Sequence, residues 1–181
     1  MVTNSCREKV IAVLCVVALA MIFAGCRKKT DDQADQQAPG ATEGLVVEIG
    51  VGIGPVKFGM SKGQIVEHFG EPNKIEGRDV ALDYISSKGL GFLMHPLKGL
   101  INIDCWSDEY PFPSKKIRTF AGGTKEGVKM GASRKGIEAA YGKPSRVTAQ
   151  GELTMLQYDD RRAIFTLKAN RLVKFSTYAP N

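Results

Sequence analysis

Hydrophobic and polar residues recur in the same order twice along the chain, at a spacing of 72 residues. Residues 54–72 read GPVKFGMSKGQIVEHFGEP, and residues 127–144 read GVKMGASRKGIEAAYGKP. In each copy a Ser precedes apolar residues at positions i and i+4, and a Gly followed by a Pro closes the stretch. Ser is a favoured helix N-cap, and Gly followed by Pro is a common helix stop. The pattern therefore predicts one short amphipathic helix in each of two tandem repeats.

The two predicted helices differ in how they begin. Ser61 and Gln64 have the spacing of a capping box in the first helix, whereas Gly136 takes the place of Gln64 in the second. The apolar pairs at i and i+4 are Ile65 with Phe69 and Ile137 with Tyr141. A helix of about two turns is not stable alone in water. We therefore expect each helix to pack its apolar pair on a sheet.

Three segments of strand character follow each predicted helix, separated by short turn signals. They span residues 80–85, 90–94 and 100–106 in the first repeat, and 153–158, 163–167 and 172–178 in the second. Short connections of this kind favour antiparallel hairpins. Residues 45–51 and 116–121 predict a further strand ahead of each helix. The fold class is therefore predicted as α+β, with two tandem repeats, each a short helix packed on a three- to four-stranded antiparallel meander sheet.

Alternation along the last strand of each repeat separates two faces of the predicted sheets. The side predicted to form the core carries Ile101, Ile103, Cys105, Val173, Phe175 and Thr177. The more polar side carries Asn102, Asp104, Trp106, Lys174, Ser176 and Tyr178. Trp106 and Tyr178 occupy the same place in both repeats, and aromatic side chains on a polar face are typical anchors for a protein partner. The alternative is that both pack against the linker or the other repeat.

Residues 1–25 have the pattern of a bacterial lipoprotein signal peptide. Arg7 and Lys9 precede an uninterrupted apolar run of fifteen residues, 10–24, which is shorter than an ordinary membrane span. The run ends in Phe-Ala-Gly-Cys, which resembles a lipobox and predicts lipidation of Cys26. Phe23 departs from the usual Leu. Three alternatives remain: cleavage by an ordinary signal peptidase, an uncleaved anchor, and a buried Cys without a role.

Residues 26–44 predict a disordered tether, because they contain no large apolar residue and are rich in Asp, Gln, Ala and Gly. Such a segment spans about 25 Å on average and would hold the folded part near a membrane. Arg27 follows Cys26, in place of the Asp that retains many lipoproteins on the inner membrane. The sequence therefore predicts a protein of the bacterial cell envelope, held by its N-terminal lipid on the periplasmic side of the outer membrane.

Charge divides the remainder of the chain into an acidic and a basic part. Residues 45–110 contain six Lys and Arg against nine Asp and Glu, a net charge of −3, while residues 111–181 contain fourteen against five, a net charge of +9. A basic surface attracts nucleic acid, anionic lipid or an acidic protein, and it can equally be an ordinary solvated surface. Because aromatic interleaving and nucleic-acid motifs are missing from the sequence, we expect no nucleic-acid partner.

No combination of residues in the sequence indicates catalysis, a metal or a cofactor. His68 and His95 have no second His or Cys at ligand spacing. After loss of residues 1–25 and lipidation of Cys26, Cys105 has no partner, and its place on the apolar side of a strand favours a core thiol. Gly50, Gly52 and Gly54 form a G-x-G-x-G run that opens no long helix and indicates a bend. The sequence predicts a protein that is not an enzyme and holds no cofactor and no metal.

The residues from Gly59 to Pro72 carry a family resemblance. The string G-M-S-x-x-Q-I-x-x-x-x-G-x-P resembles the signature of the SmpA/OmlA (BamE) family of outer-membrane assembly lipoproteins. The tandem arrangement is similar also to the β-lactamase inhibitor protein, whose repeats pack helices against a curved antiparallel sheet. The resemblance implies the fold, because the matched residues are the Ser cap, the Gly stop and the following Pro of a helix, and it assigns no binding residue. The chain departs from both relatives before Gly59, where they have an extra helix, and from the assembly lipoproteins in its doubled repeat.

Together these patterns predict a domain order and a function. Residues 45–106 form repeat 1, residues 107–116 a linker and residues 117–181 repeat 2. The function hypothesis is a lipid-anchored envelope protein that binds or scaffolds a protein partner without catalysis, in outer-membrane or envelope assembly. The alternatives are an inhibitor of an envelope enzyme, a small-ligand sensor or enzyme with a site between the repeats, and electrostatic attachment of the basic repeat to lipid or cell wall. Oligomeric state does not follow from the sequence.

Overall fold

An antiparallel sheet of eight strands dominates the computed structural model, which describes residues 44–77, 80–112 and 116–180. The strands and helices within these ranges are β1 Val46–Glu48, β2 Gly52–Ile53, β3 Val56–Lys57, α1 Lys62–Phe69, β4 Lys74–Glu76, β5 Ala81–Tyr84, α2 Ile85–Lys88, β6 Leu90–His95, β7 Gly99–Trp106, β8 Gly123–Thr124, α3 Arg134–Tyr141, β9 Arg146–Gln150, β10 Leu153–Tyr158, β11 Ala163–Lys168 and β12 Arg171–Tyr178. The protein is therefore an α+β protein, as predicted. The predicted signal, Cys26 and residues 27–43 of the tether lie outside the described residues.

The strand order of the large sheet is β4-β5-β6-β7-β12-β11-β10-β9, and all of its pairings are antiparallel. The six strands predicted after the helices are confirmed, with ends that differ by no more than one residue. The β7–β12 ladder, which pairs Cys105 with Phe175 and Ile103 with Thr177, joins all eight strands into one sheet. The sequence had left open whether the two meanders share a sheet.

The fourth strand of each meander was predicted in the wrong place. β4 and β9 follow their helices and form the two outer strands of the large sheet. β1, which occupies part of the predicted strand at 45–51, belongs instead to a separate small sheet of order β3-β2-β1-β8. The small sheet is antiparallel except for the parallel β1–β8 pairing.

The strand predicted at residues 116–121 does not form. Phe120 N–H donates to Trp106 O at 2.8 Å, and Arg118 N–H donates to Ile85 O at 3.1 Å, so the segment makes single bonds to two elements and no regular ladder. Ile117 and Phe120 are nevertheless buried. The apolar alternation that suggested a strand reflects burial of an irregular segment against the end of the sheet.

Both predicted helices are confirmed, including their caps. Ser61 accepts from Gln64 N–H with a complete capping box, and Ser133 accepts from Gly136 N–H. Gly70 and Gly142 end the helices with positive φ angles of 74° and 82°. Since Gly populates positive φ without steric cost, these two positions stop each helix after two turns.

The helices pack on one face of the large sheet through two aromatic clusters. Phe69 lies with its ring centre 5.3 Å from Phe92 and 6.1 Å from Tyr84, and Tyr141 lies 5.1 Å from Phe165 and 5.9 Å from Tyr158. The rings join a continuous core that also includes residues of the small sheet: Val47, Ile53 and Val56. Burial of Phe, Tyr and Leu side chains on this face is the main source of stability.

Four of the six residues predicted on the core side of the last strands are fully buried there: Ile103, Cys105, Phe175 and Thr177. Register shifts in the β6–β7 and β11–β12 ladders put Leu100 and Leu172 in the core positions in place of Ile101 and Val173. Ile101 is only half-buried, and Val173 is fully buried but outside the main core cluster. Within residues 44–77, 80–112 and 116–180, no helix has the length and apolar character needed to cross a bilayer.

Candidate functional site

The second face of the large sheet, opposite α1 and α3, is the candidate functional surface and is called the open face here. Register and alternation place the following side chains on it: Ala81, Asp83, Gly91, Leu93, Asn102, Asp104, Trp106, Arg146, Thr148, Met155, Gln157, Ile164, Thr166, Lys174, Ser176 and Tyr178. Most of these are half-buried or exposed, and they mix apolar with polar groups.

An ordered polar cluster occupies the centre of the open face, where β7 meets β12. Ser176 Oγ donates to Asp104 Oδ1, and Lys174 Nζ lies 3.2 Å from the same oxygen. Lys174 Nζ also lies 5.2 Å from the centre of the Trp106 ring, within the range of a cation–π interaction. The side chains of Asp104 and Lys174 are 22% and 23% exposed, so the pair is more strongly held than an ordinary surface salt bridge.

Trp106, one of the two predicted partner-binding residues, lies on the open face but beneath other side chains. It is 5% exposed and packs with Ile85 and Ile117, beside the half-buried rings of Tyr110 and Phe112. Its Nε1 is buried and has no hydrogen-bond partner among the described residues. This placement matches the alternative that the sequence left open, packing against the linker. Partner binding by Trp106 stays a prediction.

Tyr178, the second predicted partner-binding residue, is half-buried at the other end of the same strand pair. It lies opposite Asn102, while Trp106 lies opposite Lys174. Along β12, Tyr178 is four positions beyond Lys174, the residue opposite Trp106, which corresponds to about 13 Å along an extended strand. Burial raises the pKa of the Tyr178 hydroxyl, and the nearby Asp159 carboxylate adds to the shift. The structure therefore puts both aromatics on one face without bringing them together.

A cavity of about 200 Å³ lies beside the polar cluster on the open face. Its apolar lining includes Ala81, Leu93 and Phe112, and its polar lining includes Asp83 and Asp104. Gly91 forms part of the floor, and a Cβ added there would lie 2.7 Å from Trp106 Cη2. The glycine therefore lets the indole lie directly against the strand, where it forms one wall of the cavity.

Sequence reasoning placed Asp104 and Lys174 on the polar side but did not pair them. Asp104 and Lys174 each lie in a segment with the pattern of an ordinary strand, and the ion pair forms only because β7 and β12 are adjacent. The one relevant pattern in the sequence is that Asp104 and Ser176 occupy equivalent positions, 72 residues apart, in the two sequence repeats. Pairing the last strand of one repeat with the last strand of the other brings those positions opposite each other.

Two titratable groups away from the open face, His95 and Tyr84, have structural partners. His95 Nδ1 accepts from Leu97 N–H at 3.1 Å and from Lys98 N–H at 3.2 Å, which fixes the β6–β7 turn. Tyr84 donates to Gly70 O at 2.6 Å, and burial raises its pKa to about 12. Within the described ranges, no group of three or more His, Cys, Asp or Glu side chains is arranged to hold a metal ion.

Cys105 is fully buried between β6 and β12, and burial raises the pKa of its thiol well above the ordinary value, with Asp104 adding to the shift. Since the thiolate is the reactive form, we expect Cys105 to resist alkylation by iodoacetamide at about pH 8 in the native protein and to react after unfolding. Mass spectrometry of the peptide that contains Cys105 measures this directly. Rapid labelling without denaturant would contradict the burial of this strand pair.

No protein-family model matches the chain, and a search of curated proteins gives no match. Among solved structures, a DUF4309 family protein (YjgB) from Bacillus subtilis aligns with a TM-score of 0.44 and 16% identity, over 66% of this chain and 78% of that chain. An extracellular protein containing a SCP domain from Bacillus anthracis aligns with a TM-score of 0.38 and 9% identity, over 67% of this chain and 43% of that chain. Neither likeness indicates a function for the chain.

Proposed function

We propose that the chain consists of two copies of one module, a short helix followed by a four-stranded meander. Contacts that recur 72 residues apart support this arrangement. Gly59 N–H donates to Leu100 O at 2.9 Å, and Gly131 N–H donates to Leu172 O at 2.8 Å. The aromatic clusters also correspond, because each joins the last helical residue to rings on two adjacent strands: Phe69, Tyr84 and Phe92, and Tyr141, Tyr158 and Phe165.

The proposed organisation places these modules on a lipid anchor in the bacterial cell envelope. Residues 1–25 act as the signal, Cys26 carries the lipid, and residues 26–44 connect it to repeat 1 at 45–106, linker 107–116 and repeat 2 at 117–181. The supporting features are the apolar run, the lipobox-like residues before Cys26 and the polar composition of the tether. The outer membrane, on its periplasmic side, is the proposed location.

The proposed function is non-catalytic binding of an envelope protein through the open face, in the manner of a scaffold or assembly factor. One observation carries it: α1, α3 and the small sheet contribute to the core on one side of the large sheet, while the other side presents half-buried apolar residues around a fixed Asp104–Lys174 pair. A fixed charge pair within an apolar surface sets the register of a docking partner. Binding proteins commonly use such pre-organised surfaces.

Leu93 provides the test of this surface. It lies on the open face beside the cavity and is 38% exposed, whereas Leu97, in the β6–β7 turn, is 91% exposed. We expect in-cell crosslinking and pull-down of the full-length protein to recover one dominant protein partner. Leu93→Asp, which introduces a charge into the contact surface, should reduce that recovery about tenfold or more, because contact-centre residues carry most of the binding energy.

Leu97→Asp is the matched control, since it makes the same chemical change away from the open face. Circular dichroism and the melting temperature establish that both variants are folded. The proposal fails if a folded Leu93→Asp variant retains the partner, or if no partner is recovered with the unchanged chain. Should the recovered partner be an enzyme, its activity in the presence of the purified chain separates a scaffold from an inhibitor.

A further inference from the structure

The outer strand β9 is exposed along its whole length. It pairs only with β10 within the large sheet, and all five of its residues, 146–150, are exposed to solvent. The β9–β10 ladder is regular from Arg146 to Gln150. A regular outer strand presents unpaired N–H and C=O groups that can bind another strand.

The opposite outer strand of the same sheet is protected, and β9 is not. β4 has three residues, of which Lys74 and Glu76 are charged and form a salt bridge at 2.9 Å. Short length and charge are the usual devices that prevent strand addition at a sheet edge. β9 has five residues and carries a single charge, on Arg146 at its first position. The protein thus blocks one edge of the sheet and leaves the other able to pair.

The hairpin at the end of β9 determines which backbone groups point outwards. Gly151, with a φ of 58°, and Glu152 form a two-residue connection, so Gln150 and Leu153 flank it as a hydrogen-bonded pair. Hydrogen-bonded and non-hydrogen-bonded pairs alternate along an antiparallel ladder. The N–H and C=O groups of Val147 and Ala149 therefore point away from β10, towards the free edge.

We propose that β9 binds β9 of a second copy of this chain, antiparallel and with a two-fold axis at Thr148. In this register Val147 lies opposite Ala149 of the second copy, and each such pair exchanges both of its outward hydrogen bonds. Arg146 lies opposite Gln150, so no like charges meet. The outward N–H and C=O groups of one copy therefore lie opposite the complementary groups of the second copy when the two are related by this axis.

Charges that flank β9 are compatible with the same arrangement. Lys143 and Arg146 precede and begin the strand, while Glu152, which follows it, forms a salt bridge with Lys168 at 3.1 Å, so the strand is basic at one end and close to neutral at the other. Antiparallel association keeps the basic ends of the two copies apart and brings each next to the neutral end of the other. Val147, which is 44% exposed, also gains an apolar neighbour in Ala149 of the second copy. This inference does not depend on the proposed partner of the open face.

Substitution of Thr148 by residues of opposite charge tests the proposal. Thr148 is exposed and lies opposite itself in the proposed dimer, so Thr148→Lys and Thr148→Glu each place like charges across the axis. We expect analytical ultracentrifugation of the full chain in mild detergent to show a concentration-dependent dimer. Each variant alone should be at least about tenfold weaker in association, a loss of about 1.4 kcal/mol, and an equimolar mixture of the two should restore the dimer.

Restoration in the mixture excludes misfolding as the cause of dissociation. Three results would overturn the proposal. The first is that the unchanged chain stays monomeric at its highest soluble concentration, and the second is that each single variant dimerises as well as the unchanged chain. The third is that the mixture of variants stays monomeric under conditions in which the unchanged chain forms dimers.

A disulfide provides an independent measurement of the register. Thr148 would form a non-hydrogen-bonded pair, in which Cα atoms are about 4.5 Å apart, within the range that disulfides span. Mild oxidation of Thr148→Cys should give a covalent dimer linked through residue 148, as identified by mass spectrometry of the linked peptide. Ile75→Cys, on the blocked edge at β4, is the matched control and should give no linked peptide through residue 75. Absence of a disulfide through residue 148, or equal linkage at residue 75, overturns the register.

Discussion

Replacement of Trp106 by Ala is expected to lower the free energy of unfolding by about 3–5 kcal/mol, the cost typical of removing a large buried aromatic side chain. The indole is 5% exposed, packs with Ile85 and Ile117, and lies 5.2 Å from Lys174 Nζ. Its loss leaves a void between the sheet and the linker and removes a favourable neighbour of the lysine. In thermal unfolding, we expect the midpoint to fall by roughly 10 °C.

Trp106→Phe and Tyr178→Ala are the controls for this prediction. Trp106→Phe keeps most of the ring and removes an Nε1–H that is buried without a partner among the described residues, so its cost should stay below about 2 kcal/mol. Tyr178 is only half-buried, and its truncation should cost about 1 kcal/mol. A Trp106→Ala variant as stable as the unchanged chain would show that the indole is not packed beneath the linker.

These costs also determine how a binding experiment is interpreted. If Trp106→Ala abolishes capture of a partner, destabilisation of the β7–β12 junction is a sufficient explanation, because Trp106 has almost no exposed surface. Tyr178→Ala and Leu93→Asp change the open face at residues that are accessible to a partner. Loss of binding in those variants, with folding retained, identifies a contact surface. The partner-binding prediction for Tyr178 is thus testable separately from the one for Trp106.

Local patterns in the sequence were sufficient for most of the large sheet and for both helices. The N-cap residues Ser61 and Ser133 act through hydrogen bonds within three residues, so their effect can be read without knowledge of the fold. Hairpin strands such as β10 and β11 are likewise joined by a short turn, and their alternation marks the buried side. Caps and hairpins depend on residues that are close together in the sequence, so both can be predicted from the sequence alone.

Features that depend on distant segments were predicted poorly. β9 was missed, although its five exposed residues, Arg-Val-Thr-Ala-Gln, alternate polar with apolar side chains. Residues 116–121 alternate because Ile117 and Phe120 are buried, yet their backbone bonds go to Ile85 and Trp106 instead of a strand. In both cases neighbouring segments decide which backbone groups pair, and periodicity in the sequence alone does not show it.

The candidate site also combines features that local sequence patterns predicted with features that depend on the tertiary structure. Alternation placed Asp104, Trp106 and Lys174 on one side of their strands, and the structure has them on the open face. The ion pair, and the burial of Trp106 under the linker, follow from the β7–β12 ladder, which joins strands that are distant in sequence. A sequence repeat suggests which positions are equivalent, but only the tertiary structure shows that the equivalent strands are adjacent.

Gly99→Ala is expected to destabilise the protein by about 4 kcal/mol or more, close to the largest effects of single substitutions. Gly99 has a φ of 69°, and a Cβ there would lie 2.2 Å from Gly59 O and 2.6 Å from Met60 O. Met60 O also accepts from Leu100 N–H at 2.8 Å, so the backbone around Met60 cannot retreat without breaking that bond. The methyl group would therefore separate the start of β7 from the loop that leads into α1. Urea denaturation measures the loss.

Gly131→Ala is the matched control, because Gly131 also has a positive φ, 80°, but nothing lies within 4 Å of the added Cβ. Its substitution carries only the backbone strain of a left-handed conformation, about 1 kcal/mol. The difference between the two variants, about 3 kcal/mol, therefore measures the steric contact at Gly99 apart from its φ angle. Equal losses in the two variants would mean that the Gly59–Met60 loop moves aside freely. In that case, the contact of β7 with the loop before α1 would contribute little to the fold.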